Sequence, residues 1–258
     1  MKIHHLNCGS MHMRTPLVCH VLLLETTNGL VLVDTGFGLK DIEDPAGRIG
    51  FTRRLTKPAL DPAETAVHQL RAFGHAPEDV QHILLTHLDF DHAGGLADFP
   101  NAQVHTTAAE WQAAQQPSTA KERRRYHRTH WSHGPKITTH EPAGDSWFGF
   151  PAATSLDDIA PGLILIPLPG HTKGHAGYAV NRGDTWLFHA GDAFFHHSAL
   201  TATGWRPTLH RFQETLLAVD RERLHHNRSR LAELRTNPAV EVVSAHDPVL
   251  LAKAQAAP

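Results

Sequence analysis

The chain has few cysteines, little net charge and no long apolar run, and each shortage excludes a class of protein. With only Cys8 and Cys19 among 258 residues, a disulfide framework and a cysteine-based zinc finger are both excluded. The formal net charge of -2 gives no reason to expect nucleic acid or an acidic membrane as the main partner. The longest apolar runs, such as residues 21–24, are far too short to span a bilayer. Any bound metal must therefore be held by histidine, aspartate or glutamate.

The remaining composition is ordinary for a folded globular protein. Hydrophobic residues make up 41% of the chain and charged residues 19%, so disorder is not expected. The length suits one large domain, and we expect a single domain over residues 1–258. Residues 1–8 contain no apolar segment of the kind found in a signal peptide, which favours the cytoplasm. The sequence is compatible with a homodimer but does not define the oligomeric state.

Histidine and aspartate are concentrated directly after one apolar run. Residues 82–85 are followed by His87, Asp89, Asp91 and His92, and then by two glycines. Because the chain has 23 histidines, chance must be considered. A His, Asp and His at this spacing is expected about 0.1 times in such a chain, and requiring Asp89 lowers this to about 0.01. A strand that ends in nitrogen and oxygen ligands predicts a metal site at the edge of a sheet.

Two hairpins, each ending in an aspartate, form a weak internal repeat. Asn28-Gly29 separates two apolar strands, and the second of these ends at Asp34. A second hairpin over residues 176–188 ends near Asp192. Further strands over residues 163–168 and 240–243 each precede a histidine. Strands alternate with helices in both halves, which predicts sheets covered by helices.

The helices and irregular segments complete this prediction. We expect one helix from the cap Asp61, one over residues 108–115 and one from the cap Asp220. Residues 37–60 and 117–150 show little periodicity, so long loops are expected there. Trp147 belongs to an aromatic group in the second of these segments. It would line a substrate pocket or anchor the loop to the core.

The ionisable residues at the ends of the predicted strands resemble, in order, the motifs of the metallo-β-lactamase superfamily. The resemblance covers residues 17–250 and is greatest to the acyl-homoserine-lactone lactonase branch. The matching pieces are Val33-Asp34-Thr35-Gly36, the block from His87 to Gly95, Pro169-Gly170-His171-Thr172 with Gly174-His175, Gly191-Asp192, and Ala245-His246-Asp247.

The resemblance implies an α/β fold, a four-layer αβ/βα sandwich in which helices flank two mixed sheets. It also implies a site for two divalent metal ions, with zinc expected first and manganese or iron also compatible. The implied ligands are His87, Asp89 and His171 for one ion, Asp91, His92 and His246 for the other, and Asp192 between both. Asp34 and His175 would orient the ligands without binding metal.

The implied activity is hydrolysis of a small ester or lactone. A hydroxide held between the two ions would attack the carbonyl, and Asp91 or Asp192 would pass a proton to the leaving group. The same ligands would serve a thioesterase of the glyoxalase II type, a phosphodiesterase or a β-lactamase. Outside the hydrolases, a redox diiron protein and a non-catalytic metal-binding protein remain as alternatives.

The chain departs from the lactonase pattern at two positions. Asp89 stands where the family usually has a histidine, and three carboxylates with one hydroxide would cancel the charge of two divalent ions. A neutral cluster should be a weaker Lewis acid. Phe195 stands where the lactonases have a tyrosine that contacts substrate. Phe195, His196 and His197 would line the substrate pocket, and either histidine or Tyr178 would replace the tyrosine.

Overall fold

The computed structural model describes residues 1–201 and 207–257. Among these residues, the strands are β1 (Lys2–Met11), β2 (Leu17–Thr26), β3 (Gly29–Val33), β4 (Val80–Leu84), β5 (Gln103–Thr107), β6 (Lys136–His140), β7 (Gly144–Trp147), β8 (Phe150–Ala152), β9 (Thr154–Ser155), β10 (Leu163–Pro167), β11 (Ala176–Asn181), β12 (Trp186–His189) and β13 (Val240–Val243).

The α-helices of the same residues are mostly short. They are α1 (Leu39–Glu43), α2 (Pro45–Arg48), α3 (Thr52–Thr56), α4 (Ala66–Ala72), α5 (Phe90–Ala93), α6 (Ala108–Gln115), α7 (Ala120–Arg125), α8 (Thr208–Leu217), α9 (Arg221–Leu234) and α10 (Pro248–Gln255). Single 3₁₀ turns connect several of them. In the described part of the chain, no helix has the length and apolar character needed to cross a bilayer.

Two mixed sheets form the centre of the fold, as the sequence predicted. The first has the order β1-β2-β3-β4-β5-β6, with antiparallel pairing up to β3 and parallel pairing from β3 to β6. The second has the order β13-β12-β11-β10-β9, and only β12 and β13 pair in parallel. The hairpin of β7 and β8 lies outside both sheets.

Side-chain alternation along the strands produces the four layers. In β2, Leu22 and Leu24 belong to the core between the two sheets, together with Tyr178 of β11. Val21 and Leu23 point the opposite way, into the core that contains residues of α4 and α6. Because successive side chains of a strand face opposite sides, one fully buried strand serves two cores. A third core joins the outer face of the second sheet to α9.

Residues 37–60 differ from the predicted loop, because they contain α1, α2 and α3. These helices have four or five residues, too few for a visible helical period. The helix predicted from Asp61 is also displaced. Asp61 caps only a 3₁₀ turn, and α4 begins after a second cap, Thr65. Glu64 accepts hydrogen bonds from the backbone and hydroxyl of Ser10 instead of closing a capping box.

Residues 117–150 are likewise more regular than predicted. They contain α7, which a Thr119–Glu122 capping box begins, and β6, which extends the first sheet. The strand β1 was not predicted either. By contrast, α6 and β13 have the predicted bounds, and Asp220 caps α9 as expected.

Candidate metal centre

The loops that follow β4, β10, β12 and β13 bring together all seven predicted metal ligands, and the loop after β3 adds Asp34 beside them. Their ligand atoms form overlapping groups within 4.8 Å of one another. We call His87, Asp89 and His171 the first group, and Asp91, His92 and His246 the second group. The sequence predicted each member from its position at the end of a strand, and the structure places them at one end of the sandwich.

The carboxylate of Asp192 lies between the two groups. Its Oδ2 is 3.4 Å from His171 Nε2 and 3.8 Å from His87 Nε2. Its Oδ1 is 3.2 Å from His92 Nε2 and 3.1 Å from His246 Nε2. Oδ2 is also 3.2 Å from His246 Nε2, so this carboxylate contacts imidazoles of both groups, as a bridging carboxylate would.

The carboxylates of Asp89 and Asp91 each lie near the imidazoles of one group. Asp89 Oδ2 is 3.4 Å from His87 Nε2 and 3.2 Å from His171 Nε2. Asp91 Oδ2 is 3.7 Å from His246 Nε2, and its Oδ1 is 4.0 Å from His92 Nε2. Each group thus contains two imidazoles and one carboxylate of its own.

Several inward-facing atoms of the site are buried and form no hydrogen bond. They include Nε2 of His87, Nε2 of His92 and Oδ1 of Asp192. A buried polar atom without a partner costs about 1–3 kcal/mol. Cations held by the two groups would satisfy these atoms, because imidazole nitrogens and carboxylate oxygens are metal ligands. The donor set of imidazole and carboxylate suits zinc, manganese or iron, so the residues fit a site for divalent metals.

Asp34 orients the second group through His92. Its Oδ2 accepts a hydrogen bond from His92 Nδ1 at 2.8 Å, and its Oδ1 accepts one from the Thr86 backbone at 2.8 Å. The imidazole therefore presents Nε2 to the site, as in the carboxylate–histidine pairs that support metal ligands. Asp34 has a φ of 60°, a left-handed conformation that aspartate tolerates better than most residues.

The sequence predicts that His175 orients the ligands without binding metal, and its hydrogen bonds are compatible with that role. Its Nδ1 donates to the Leu168 carbonyl at 3.0 Å, and its Nε2 accepts from the Asp192 backbone at 2.9 Å. Both ring nitrogens are therefore occupied, and the ring fixes the turn that presents Asp192. His246 is fixed similarly, because its Nδ1 donates to the Val18 carbonyl at 2.8 Å.

Glu110 is a supporting residue that the sequence did not reveal. Its buried carboxylate accepts hydrogen bonds from the Leu88 backbone at 3.0 Å and the Tyr126 hydroxyl at 3.1 Å. It also accepts from the Thr172 hydroxyl at 2.6 Å and the Gly174 backbone at 3.2 Å. One side chain thus joins the loop of His87 to the loop of His171. From sequence, its place three residues after the cap Thr107 indicates only a capping box.

Arg125 is the second support that the sequence did not reveal. Its guanidinium is 3.4 Å from Asp89 Oδ2 and donates to the carbonyls of His171 at 3.2 Å and Leu217 at 2.6 Å. Burial opposes the charge on Asp89, but Arg125 and His87 hold its pKa well below the usual range. The neutral cluster expected from the ligands omitted this guanidinium. Arg125 restores one positive charge beside the first group.

The imidazoles of the two groups differ in their pKa. Burial and the neighbouring His92 lower the pKa of His87 to about 4, and burial and Arg125 lower that of His171. In the second group burial also opposes protonation, yet Asp192 and Asp34 raise the pKa of His92 well above its usual value. Asp192 raises the pKa of His246 in the same way. A proton therefore competes with a cation mainly in the second group.

The predicted pocket residues lie in different places. The Phe195 ring centroid is 4.9 Å from that of His246 and 6.2 Å from that of His171, so Phe195 borders the site. His197 is bonded to Asp247 at 2.8 Å, and His196 to the hydroxyl of Ser198. Asp247 also accepts hydrogen bonds from the first turn of α10, so it is not an unsatisfied ligand.

Two predictions about aromatic residues need correction. Trp147 packs against Phe188 and Trp186 in the outer core of the second sheet, so it anchors its segment and does not belong to the pocket. Tyr178 lies in the core between the sheets, and its hydroxyl donates to the Leu85 carbonyl at 3.0 Å. It cannot replace the lactonase tyrosine, because its side chain is buried and its hydroxyl is already bonded.

A sequence profile of the metallo-β-lactamase superfamily matches residues 14–225, and the chain belongs to this superfamily. Among known proteins, the chain is 49% identical over 253 residues to a probable metallo-hydrolase of Mycobacterium tuberculosis. This match covers 97% of the chain and 81% of that protein. The similarity groups the chain with the metallo-hydrolases of the superfamily.

The lactonases are more distant relatives. An N-acyl homoserine lactonase of a Bacillus species is 30% identical over 166 residues, which cover 64% of this chain and 58% of that protein. Among solved structures, an N-acyl homoserine lactone hydrolase with N-hexanoyl-L-homoserine at its catalytic metal centre superposes with a TM-score of 0.75. The superposition covers 98% of this chain and 95% of that chain at 20% identity. It confirms the four-layer fold.

Proposed function

We propose that the protein is a metal-dependent hydrolase with a dinuclear centre that cleaves a small ester or lactone. The main support is the position of Asp192, whose carboxylate contacts imidazoles of both His/Asp groups. The buried inward-facing nitrogens without hydrogen bonds support the same reading.

In this proposal, the first group would hold one ion, the second group would hold the other, and Asp192 would serve as a ligand shared by both. When bound, such ions provide Lewis acidity for the substrate carbonyl and an activated water at neutral pH. The protein's own part is to fix the ligands. Asp34, His175 and Glu110 do this through the hydrogen bonds described above.

Asp91 is better placed than Asp192 to carry a proton to the leaving group. Both oxygens of Asp192 face imidazoles, whereas Asp91 makes only the longer contacts of 3.7 and 4.0 Å. Burial raises the pKa of Asp91, so this carboxyl holds a proton more readily than an exposed aspartate does. A general acid whose pKa is raised toward the working pH is more effective.

The lactonase relatives support a lactone or ester substrate, although Phe195 lacks the phenol of the lactonases. Thioesters, phosphodiesters and β-lactams use the same kind of site and belong in the same test. A cytoplasmic location and a small-molecule substrate complete the proposal.

The test is metal analysis by mass spectrometry together with a substrate screen. We expect two divalent ions per chain and turnover of at least one lactone or ester, lost after chelation and restored by metal. Turnover of only a thioester, phosphodiester or β-lactam would show that the proposed lactone or ester class is wrong and that the hydrolysed compound defines the substrate class. Iron without hydrolysis would indicate redox chemistry, and metal without any turnover would indicate a binding protein.

A further inference from the structure

A cavity of about 340 Å³ opens beside the first group of the metal centre. This volume is at the small end of the range for ligand pockets. Asp89 and Phe90 form the wall nearest the metal centre, Lys121 and Arg124 of α7 form a second wall, and Leu216 and Leu217 of α8 form a third.

The charges that line this cavity do not cancel. Among the described residues, Asp89 is the only acidic one that lines this cavity, and Arg125 neutralises it at 3.4 Å. Lys121 donates to the Ala218 carbonyl at 2.8 Å and has no acidic partner among the described residues. In the described part of the chain, the Arg124 guanidinium has neither an ion pair nor a hydrogen bond. The cavity is therefore positive, although the chain as a whole has a formal charge of -2.

The surface next to the cavity has the same sign. A second cavity, of about 680 Å³, shares Lys121 and is also lined by Lys173, Arg221 and Arg223. Lys173 is paired with Glu122 at 2.7 Å and Arg223 with Asp220, the only acidic lining residue among those described, so Lys121 and Arg221 give this surface its positive charge. Clefts with one sign of charge concentrate ligands of the opposite sign.

The third wall is apolar and accessible. Leu216 is 54% exposed and Leu217 is 38% exposed, while Phe90 is partly buried on the opposite wall. An apolar arm of a substrate would cover these side chains and remove them from water. The cavity thus pairs an apolar wall with an unpaired cation.

We propose that the substrate is an ester or lactone with a carboxylate on a short apolar arm. The arm lies between Phe90 and the two leucines, and the carboxylate contacts Arg124 and Lys121. This places the scissile carbonyl at the first group, next to Asp89. The inference rests on the proposed hydrolase function and specifies its substrate class.

The test compares two esters that differ only in this charge. One is 4-nitrophenyl pentanoate, and the other is the mono-4-nitrophenyl ester of glutaric acid, in which a carboxylate replaces the terminal methyl. We expect a higher kcat/KM for the glutarate ester at low ionic strength, and a smaller preference as salt is added. Arg124→Gln should reduce kcat/KM for the glutarate ester about three- to fivefold and leave the pentanoate unchanged.

Arg123→Gln is the matched control. Arg123 precedes Arg124 on α7 but does not line the cavity, and it contacts the Pro117 carbonyl. This variant should leave both esters unaffected. Calorimetry on the metal-free protein provides a second readout. Monomethyl glutarate should bind more tightly than neutral dimethyl glutarate, and Arg124→Gln should abolish the difference.

The outcomes separate the two proposals. Equal kcat/KM for the two esters, or equal losses in Arg124→Gln and Arg123→Gln, would overturn the carboxylate inference and leave the hydrolase intact. If the metal-loaded protein hydrolyses no ester or lactone, the proposed function fails. The calorimetric comparison would then still decide whether this cavity selects a carboxylate.

Discussion

The two halves of the metal centre are held by opposite means. In the second group a carboxylate, Asp34, holds an imidazole, His92, at 2.8 Å. In the first group a guanidinium, Arg125, stands 3.4 Å from a carboxylate, Asp89. The first arrangement belongs to the family motif, whereas the second accompanies the residue that departs from it. A carboxylate replaces a ligand histidine at position 89, and a buried arginine supplies the compensating charge.

Removing the shared residue should have the largest effect, because it affects both halves. We expect Asp192→Asn to lower the metal content below one ion per chain and to reduce kcat at least about a thousandfold. Asp184→Asn, in the exposed turn between β11 and β12, is the matched control and should change neither value. Mass spectrometry and rate measurements on both variants check this. Full activity of Asp192→Asn without metal would contradict the dinuclear proposal.

Removing the guanidinium should break only the first half. Arg125→Met leaves a buried carboxylate without its partner, which typically costs about 3–5 kcal/mol. We expect the free energy of unfolding of the metal-free protein to fall by this order, and to fall less when metal is bound to Asp89. Denaturant titrations with and without metal measure the difference, with the exposed Arg123→Met as control.

The double variant Arg125→Met/Asp89→His sharpens the same comparison. Asp89→His places at position 89 the histidine that the family usually has. Arg125→Met removes the guanidinium, whose positive charge is needed only when residue 89 is a carboxylate. We expect the double variant to recover much of the stability that Arg125→Met loses, whereas Asp89→His alone leaves an imidazole beside an unpaired guanidinium. If the double variant were no more stable than Arg125→Met, the two residues would not act as a pair.

Weakening the support of the second half should have a smaller effect. Asp34→Asn removes the charge that holds His92 while keeping the size of the side chain. Loss of such a support typically costs 10- to 100-fold in metal affinity, about 1–3 kcal/mol. We therefore expect the second ion to be lost first in a chelator titration, while the first remains. Cobalt spectra would separate the two ions, and equal weakening of both would contradict independent halves.

In the unsubstituted protein, lowering the pH should release metal from the second group before the first group. Burial and His92 lower the pKa of His87 to about 4, and burial and Arg125 lower the pKa of His171, so protons compete less for the lone pairs of the first group. His92 and His246 have raised pKa values and take up protons as the pH falls. The affinity of the second group should therefore fall by up to about tenfold per pH unit below those values. As the pH falls, metal content should therefore decrease from two ions to one before the first group loses its ion. Simultaneous loss would contradict this order.

The sequence predicted the ligands of both groups, but it predicted only the support of the second group, Asp34, and not the supports of the first group, Arg125 and Glu110. Residues such as Asp34, His92 and His246 stand at the ends of regular strands, where local patterns give their positions. Arg125 lies in a segment predicted as a loop, and nothing in a run of basic residues identifies the one that is buried. Glu110 looked like a helix cap. The partners of both residues come from distant loops, so only the packed fold reveals them.

The smallest expected effect concerns Phe195, which contacts both halves at once. Phe195→Tyr restores the aromatic residue of the lactonases beside His246 and His171. A single neutral hydrogen bond contributes about 0.5–1.5 kcal/mol, so a phenol that reaches the substrate carbonyl should raise kcat/KM for a lactone by about threefold to tenfold. Metal content should not change, because the ring is not a ligand. Since Phe195 is buried, its backbone bonded to Glu214 at 2.9 Å, the added hydroxyl has few alternative positions. A rate that stays the same with intact metal content would mean that the added phenol does not reach the substrate carbonyl.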